Sequence, residues 1–368
     1  MTILQKRRLD QRRCFLKLES IIKNLNKFAP PILARDWDNV GLNIGDKSQD
    51  ISNILITLTV DEKAVRHAID RNVDLIISHH PLIFKPVTAI TEDNPGQRLI
   101  RDLIRKEISV FVMHTNLDII PGGVNDALAE YIGMEPGSLK VLSQTAYDAL
   151  FKLVVYVPEK YLEIVTKAVF QAGAGYIGNY SECSFMLKGE GTFKPEENSN
   201  PFIGERGKRE LVPEVRFESI VKEPDIDKVV SAMIKVHPYE EVAYDVIPLH
   251  QKGTRYGLGR WGKISVPVAM TDLASRINAT VKGYKKNDMV DAVALCGGSG
   301  ADLITKVSKL GLNIYVTADI NYHDEILAES LGISLLDMGH YQSEIHVLPK
   351  IERYLKTIYD NKVNIEIY

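Results

Sequence analysis

The stretch Asp74-Leu-Ile-Ile-Ser-His79-His80-Pro81 runs from a continuous apolar segment directly into two adjacent histidines. A short apolar run of this kind is typical of a buried parallel strand, so both histidines fall at its carboxyl end. Neighbouring side chains on an extended chain point in opposite directions. His79 and His80 are therefore suited to two adjacent metal ions, or to one ion and one supporting contact.

Two later segments repeat this arrangement. The apolar run 109–113 leads into His114, which Asp118 follows, and the run 333–336 leads towards His340, which Glu344 follows. Ligands bind at the carboxyl ends of strands in open parallel sheets. We therefore predict that three strands bring four imidazoles and two carboxylates to one place, enough for two metal ions with positions left for water.

Strands and helices alternate on both sides of these segments, which indicates an α/β fold. The predicted amino-terminal strands and helices are 51–60, 62–71, 73–78, 95–106 and 108–113. Strands are also predicted at 292–295, 314–317 and 333–337, with helices after Gly300, His323 and Glu344. We expect a three-layer core domain with a mostly parallel sheet.

The middle of the chain has a different order of elements. Segments between 151 and 249 read strand, helix, strand, strand, helix, strand, the ferredoxin-like βαββαβ order. We predict an α+β insert at 148–250 in a discontinuous core domain of 16–147 and 251–368, after a basic leader at 1–15. A continuous two-domain chain is the alternative, but it would separate the carboxyl-terminal histidine from His79 and His80.

Composition argues against several classes of partner. The 368 residues are 45% apolar and carry a net charge of −3, so no overall field favours nucleic acid or a membrane surface. No apolar run reaches the ~20 residues that span a bilayer. The basic leader lacks the apolar core of a signal peptide. The three cysteines are widely separated, and we expect a cytoplasmic protein.

Each histidine and carboxylate pair has a structural alternative. A single histidine at a strand end often makes only hydrogen bonds. Pro121 and the two glycines after it place His114 to Asp118 in a loop rather than a helix. Glu344 is expected near a helix start, where the helix dipole favours a carboxylate without any metal. The metal centre accounts for more of these residues together.

Three further segments carry polar groups. Gly298, Ser299 and Gly300 join a strand to a helix and could hold a phosphate or another anion, or merely allow close packing. Asp319 and His323 could orient ligands or move protons, although a helix cap and a surface histidine explain them as well. The segment 237–241 is interpreted as a turn, with ligand sensing as the alternative.

Several segments together resemble the GTP cyclohydrolase I type 2 homologue family, also called the NIF-three-like family. They are Trp37-Asp-Asn-Val-Gly41-Leu, Ser78-His-His-Pro-Leu-Ile-Phe84, His114-Thr-Asn-Leu-Asp118, Gly297-Gly-Ser-Gly300 and Gly339-His-Tyr-Gln-Ser-Glu344. The resemblance covers the chain from about residue 16 and includes the insert, which is similar to PII and CutA proteins. The chain departs from the family at Ala318, where glycine is common, and in its basic leader.

The resemblance implies a function and a site. The metal ligands would be His79, His80, His114, Asp118, His340 and Glu344, with Glu344 between the ions, and the chain would form a ring-shaped homohexamer. The implied reaction is hydrolysis of GTP, with metal-bound hydroxide attacking the purine ring. Hydrolysis of another phosphoester or nucleotide, and a metal-binding scaffold that senses a ligand without turnover, are the alternatives. Zinc, iron, manganese and nickel all suit such ligands.

Overall fold

A computed structural model describes residues 16–284, 289–359 and 362–368; the basic leader lies outside them. The strands of these residues are β1 (Leu16–Lys17), β2 (Gly41–Ile44), β3 (Asp50–Ile51), β4 (Asn53–Thr57), β5 (Leu75–Ser78), β6 (Ser109–Val112), β7 (Lys140–Pro158), β8 (Ser184–Phe193), β9 (Glu210–Lys222), β10 (Tyr244–Ala269), β11 (Thr280–Gly283), β12 (Met289–Ser299), β13 (Ile314–Ala318), β14 (Ser334–Asp337) and β15 (Asn364–Ile367).

The α-helices of the same residues are α1 (Leu18–Phe28), α2 (Glu62–Asp70), α3 (Pro95–Arg105), α4 (Thr115–Ile119), α5 (Val124–Ile132), α6 (Leu162–Gln171), α7 (Ile226–Val236), α8 (Met270–Arg276), α9 (Ile304–Lys309), α10 (Tyr322–Ser330), α11 (His340–Glu344) and α12 (Leu348–Tyr359). The α/β class is confirmed. None of the described helices is long and apolar enough to cross a membrane.

The chain divides into two compact units. One consists of the described residues up to Ala146 together with those from Tyr256 onward, and the other is Tyr147–Arg255. The chain leaves the first unit within β7 and returns to it within β10.

The first unit contains a five-stranded sheet of order β15-β4-β5-β6-β2, parallel except at β2. Alternate residues of its central strands enter two different cores, because successive side chains of a strand face opposite sides of the sheet. Ile54 and Ile56 pack with α1 and α12, whereas Leu55 packs with α2 and α3. Helices therefore cover both faces, and the polar residues that follow β5 and β6 emerge at one edge of this sheet.

The same unit contains the parallel strands β12, β13 and β14, with β11 antiparallel to β14. Here too the residues alternate: Leu295 and Val316 pack with α5 and α8, and Tyr315 and Leu335 pack with α9 and α10. In the second unit, β7 and β8 are each antiparallel to β9, and the buried residues of β7 and β9 pack against α6 and α7. The helix predicted at 226–236 is confirmed at those bounds.

Candidate metal centre

His79 and His80 continue from the end of β5. Their backbone N–H groups donate to Thr57 O at 3.2 Å and Leu58 O at 2.7 Å, so hydrogen bonds to the end of β4 fix both residues beyond the end of β5. Because the strand is buried, it carries His79 into a fully buried position. The two imidazole rings lie 4.9 Å apart between centroids and are tilted by 48°.

His114 and Asp118 follow β6, but they do not lie in a loop as predicted. His114 is the residue before α4, and Asp118 lies within that five-residue helix. The N–H groups of Leu117 and Asp118 both donate to His114 O, at 2.8 and 3.2 Å. The prediction was wrong because Pro121 and the following glycines limit the length of the helix rather than prevent it. One helical turn brings Asp118 back towards the histidines.

His340 and Glu344 are the first and last residues of α11. Their i, i+4 spacing places His340 Nε2 3.2 Å from Glu344 Oε1. Glu344 ends α11 and is also the N-cap residue of the 3₁₀ turn Ile345–Val347, which leads into α12, so the prediction that it lies near a helix start is confirmed. The end of α11 disfavours a carboxylate at this position and the start of the next turn favours one, so the two helix ends act on Glu344 in opposite directions.

Each of the four histidines has a hydrogen-bonding partner at Nδ1. Such partners orient a ring and leave Nε2 available to a metal ion. The Nδ1 contacts are His79 with Met113 O at 2.9 Å, His80 with Thr59 Oγ1 at 2.8 Å, His114 with Asp38 Oδ1 at 2.9 Å, and His340 with Asp319 Oδ2 at 2.6 Å.

The Nε2 atoms surround the carboxylates at distances close to those between ligands of a common ion. His79 Nε2 is 3.6 Å from both Asp118 Oδ1 and Glu344 Oε1, and His80 Nε2 is 2.9 Å from Glu344 Oε2. Two ligand atoms at ~2.1 Å from one ion, with an angle of 90–109° between them, lie about 3.0–3.4 Å apart. The ligand atoms of His79, His80 and Glu344 all lie within 4.8 Å of one another, so these residues form a possible metal site.

Unsatisfied atoms support this assignment. His79 Nε2, His80 Nε2, Asp118 Oδ1 and Glu344 Oε2 are buried and lack a hydrogen bond of proper geometry within the described part of the chain. Such atoms are rare in folded proteins, because each costs free energy to remove from water. Four of them in one cluster indicate a missing partner, and nitrogen and carboxylate oxygen are the atoms that a divalent cation takes.

The charges of the cluster are strongly coupled. Burial favours the neutral form of Glu344, yet the surrounding rings of His340, His79 and His80 hold its pKa well below the usual range. Burial lowers the pKa of His79, but Glu344 and Asp118 outweigh it and raise the value to about 9. Hydrogen bonding to Glu344 raises the pKa of His340 to about 9, and burial raises that of Asp118 to about 6. In the metal-free chain, positive charge on His79 and His340 thus offsets the negative charge of Glu344.

Sequence reasoning assigned no role to Asp38, which supports His114. Besides its contact with His114 Nδ1, the carboxylate accepts hydrogen bonds from Thr115 N at 3.0 Å and Thr115 Oγ1 at 2.5 Å. Burial raises the pKa of Asp38, but these bonds outweigh it and lower the value to about 2, so the group stays charged. The signal was present, since Asp38 stands in the Trp37-to-Leu42 segment on which the family resemblance partly rests.

Asp319 and His323 occupy different surroundings. Asp319 adopts a left-handed backbone with φ +54° and holds His340, while the neighbouring Asn321 caps α10. His323 lies exposed in the first turn of α10, with its ring against Tyr322. The structure therefore brings Asp319 to the cluster as a support for His340, and it describes no contact of His323 with the cluster. A proton-transfer role for either residue stays a prediction.

Gly298 lies directly against Glu344. A Cβ at this position would stand 2.5 Å from Glu344 Oε1, and the backbone has φ +65°. The N–H of Gly298 donates to Ser343 Oγ at 2.9 Å, and that of Gly297 to Asn125 Oδ1 at 3.0 Å. These two donors are thus engaged within the protein. The predicted anion contact at Gly298, Ser299 and Gly300 stays a prediction.

Comparison with known proteins shows which family the chain is similar to. The family model Duf34/NIF3 (NGG1p interacting factor 3) matches residues 16–368. Proteins named GTP cyclohydrolase 1 type 2 homolog from Bacillus subtilis and Halalkalibacterium halodurans are 40% and 38% identical, each with 95% of both chains covered. The crystal structure of a Bacillus cereus protein related to NIF3 is similar at 36% identity and a TM-score of 0.86, covering 95% of this chain and 96% of that one.

Proposed function

The chain belongs to the Duf34/NIF3 family, and from this premise we propose that it binds two divalent metal ions and hydrolyses GTP or a related nucleotide. The observation that carries the proposal is the convergence of oriented Nε2 atoms on two buried carboxylates. Two of these nitrogens and two of the carboxylate oxygens lack hydrogen bonds. The names of the similar proteins support the substrate class.

The proposed ligands divide into two groups that share Glu344. In this proposal His79, Asp118 and Glu344 hold one ion, and His80, His340 and Glu344 hold the other. His79 and His340 both lie against Glu344 Oε1, and His80 lies against Oε2. The ring of His114 lies 5.2 Å from that of His79, which assigns it to the first group. Glu344 is therefore the proposed bridge. Zinc, iron, manganese and nickel all suit imidazole and carboxylate ligands.

Two such ions, when bound, lower the pKa of water and polarise a substrate oxygen. The protein's own contribution is to fix the ligands: Asp38 and Asp319 each hold one imidazole by Nδ1. Burial of Glu344 and His79 excludes water from the inner side of the cluster. We assign a phosphate contact to Gly298, Ser299 and Gly300, and proton transfer to His323, as proposals that the reaction itself must test.

An aromatic platform beside His114 favours a flat heterocyclic substrate. Trp37 is 59% exposed and Phe84 49% exposed, and their rings lie 5.8 Å apart. The rings of Trp37 and His114 are 6.2 Å apart between centroids, at an interplanar angle of 69°. Large exposed aromatic rings at a polar site offer stacking surfaces, and stacking a base on such a ring contributes ~1–3 kcal/mol. This platform favours a nucleotide over a simple phosphoester.

We also propose a ferredoxin-like insert and a ring-shaped homohexamer. The strand, helix, strand, strand, helix, strand order of the second unit supports a ferredoxin-like, PII-related insert. Family membership supports a ring-shaped homohexamer, for which light scattering at six times the 41.3 kDa chain mass is the test. A monomer in that measurement would contradict the ring.

The metal-loaded protein should be incubated with GTP while formate, ring-opened product and free phosphate are each quantified. Formate and a ring-opened product, absent with Glu344→Gln, support the proposed reaction. Phosphate release without formate would replace it by a phosphoesterase activity. Tight metal binding with no product from GTP or from a nucleotide panel would overturn the enzymatic proposal and favour a metal-binding scaffold.

A further inference from the structure

The second unit contains a cavity that the metal centre does not use. It has a volume of about 560 Å³, within the ~300–1,000 Å³ of small-molecule sites. Its walls come from β8, β9, the connection between them and the turn before β10, all inside Tyr147–Arg255. The cavity therefore belongs to one compact unit.

Aromatic rings form much of the wall. Tyr239 lies 5.9 Å from Phe193 and 6.4 Å from Phe202 between ring centroids, with tilts of 59° and 50°. Phe202 is 50% exposed, so the protein leaves part of a large apolar ring uncovered at the cavity. Tilted aromatic rings around a space accept a flat apolar group or a cation against their faces.

The turn that carries Tyr239 is held rigidly. His237 Nδ1 accepts the N–H of Tyr239 at 3.2 Å, so Nε2 carries the proton that is donated to Tyr156 O at 3.0 Å. Burial lowers the pKa of His237, which keeps the ring neutral in this arrangement. His237 thus serves the turn, as the sequence predicted, and presents the Tyr239 ring to the cavity.

A buried carboxylate lies in the same wall. Glu214 is only 9% exposed, and its Oε1 accepts the hydroxyl of Tyr239 at 2.8 Å. The other oxygen, Oε2, lies over Gly191, where a Cβ would stand 2.1 Å away. Burial and Glu214 raise the pKa of Tyr239, so its hydroxyl remains a donor. A glycine thus leaves room for a buried carboxylate at the cavity, an arrangement that costs free energy unless a donor or cation compensates it.

The lining charges favour a positive ligand. Carboxylates outnumber basic groups, four to two, among the lining residues. Both basic groups already have acidic partners: Lys188 Nζ lies 2.5 Å from Glu159, and Arg216 Nε lies 2.8 Å from Glu218. The lining carboxylates are Glu190, Glu214, Glu240 and Glu241. Phosphates and carboxylates would be repelled here.

We propose that this cavity binds a small organic cation with a flat apolar body, such as a protonated aromatic amine. The rings of Phe193, Phe202 and Tyr239 receive the body, and Glu214 receives the ammonium. The site gives the second unit a binding function of its own, independent of the metal centre.

Tryptamine is the probe, with indole-3-acetate as the anion of matched shape, and binding to the full-length protein is measured by calorimetry. We expect tryptamine to bind with a dissociation constant of about 1 mM or tighter, and indole-3-acetate to bind at least tenfold more weakly. Glu214→Gln should weaken tryptamine binding at least tenfold and Phe202→Ala at least threefold. Glu223→Gln, which removes the same charge outside the cavity, should leave it unchanged.

An unchanged circular dichroism spectrum and an unchanged denaturant unfolding midpoint of each variant show that the second unit remains folded. No tryptamine binding at several times that concentration, or equal binding of the amine and the anion, would overturn the proposal. Native-like binding by Glu214→Gln would also overturn it, even if Phe202→Ala is impaired, because the ligand would then not be recognised as a cation. A failure of GTP hydrolysis has no bearing on these outcomes.

Discussion

Asp38→Asn tests how the metal centre is oriented, because it changes one atom of a residue outside the proposed ligands. The native carboxylate accepts from His114 at one oxygen and from Thr115 N and Oγ1 at the other. Asparagine has one oxygen and one NH₂ group. If the oxygen faces His114, the NH₂ meets the Thr115 N–H, and two donors oppose each other.

The asparagine oxygen should therefore turn to Thr115, and its NH₂ should donate to His114 Nδ1. That forces the proton of the neutral ring onto Nε2, the atom proposed to bind metal. Loss of such a supporting contact typically weakens metal affinity 10–100-fold, which is about 1.4–2.8 kcal/mol. We expect a decrease within this range for zinc.

Zinc affinity should be measured by competition with a chromophoric chelator at constant pH. Asp36→Asn is the matched control, since Asp36 is exposed and makes no hydrogen bond described for this part of the chain. Native affinity in Asp38→Asn, or an equal decrease in Asp36→Asn, would refute the orientation argument.

Three other predictions follow from particular contacts. Zinc should raise the melting temperature more at pH 8.5 than at pH 6.5. The pKa values of His79 and His340 are each raised to about 9, so protonation of these rings stabilises the metal-free protein below about pH 6.5, and this stabilisation is lost as pH rises towards 9, where protons also cease to compete with metal. A zinc-dependent increase in melting temperature that becomes smaller as pH rises would contradict this prediction. Gly298→Ala should lose most of its metal, because the new Cβ would displace Glu344. The control Gly311→Ala, with φ +72° and no atom within 4 Å of its Cβ, should lose only ~1–2 kcal/mol of unfolding free energy and keep its metal. Equal metal content in the two variants would count against the packing argument. Phe217→Ala, at a fully buried position of the second unit, should cost ~3–5 kcal/mol in denaturant unfolding, and Phe185→Ala, 65% exposed, should cost under about 1 kcal/mol; similar losses would refute the core assignment.

Local sequence patterns predicted the elements that depend on burial. The segment before His79 is continuously apolar, and its strand formed at Leu75–Ser78 within the predicted 73–78. The periodic segment 226–236 formed a helix at the predicted bounds. Short helices were predicted poorly. One turn of helix after His114 gains little from propensity and forms because Asp38 and the packing around Thr115 hold it, which a local pattern does not contain.

The geometry of the cluster depends on residues far apart in sequence. Asp38 and His114 are 76 positions apart, and no periodicity relates them. The same holds for the contact between Gly298 and Glu344, which sets how closely a carboxylate approaches the histidines. The sequence indicated the ligand types through strand ends, whereas the direction of each Nε2 atom is a property of tertiary hydrogen bonds.

Metal stoichiometry of the purified protein tests the central claim most directly. Elemental analysis should be performed on the native chain, His80→Ala, Glu344→Ala and the control His67→Ala, whose ring pairs with Glu366 instead. The account predicts about two ions per native chain, the same number in His67→Ala, and loss of most metal from the other two variants. Full metal content in His80→Ala and Glu344→Ala, or no uptake by the native chain on reconstitution, would contradict it.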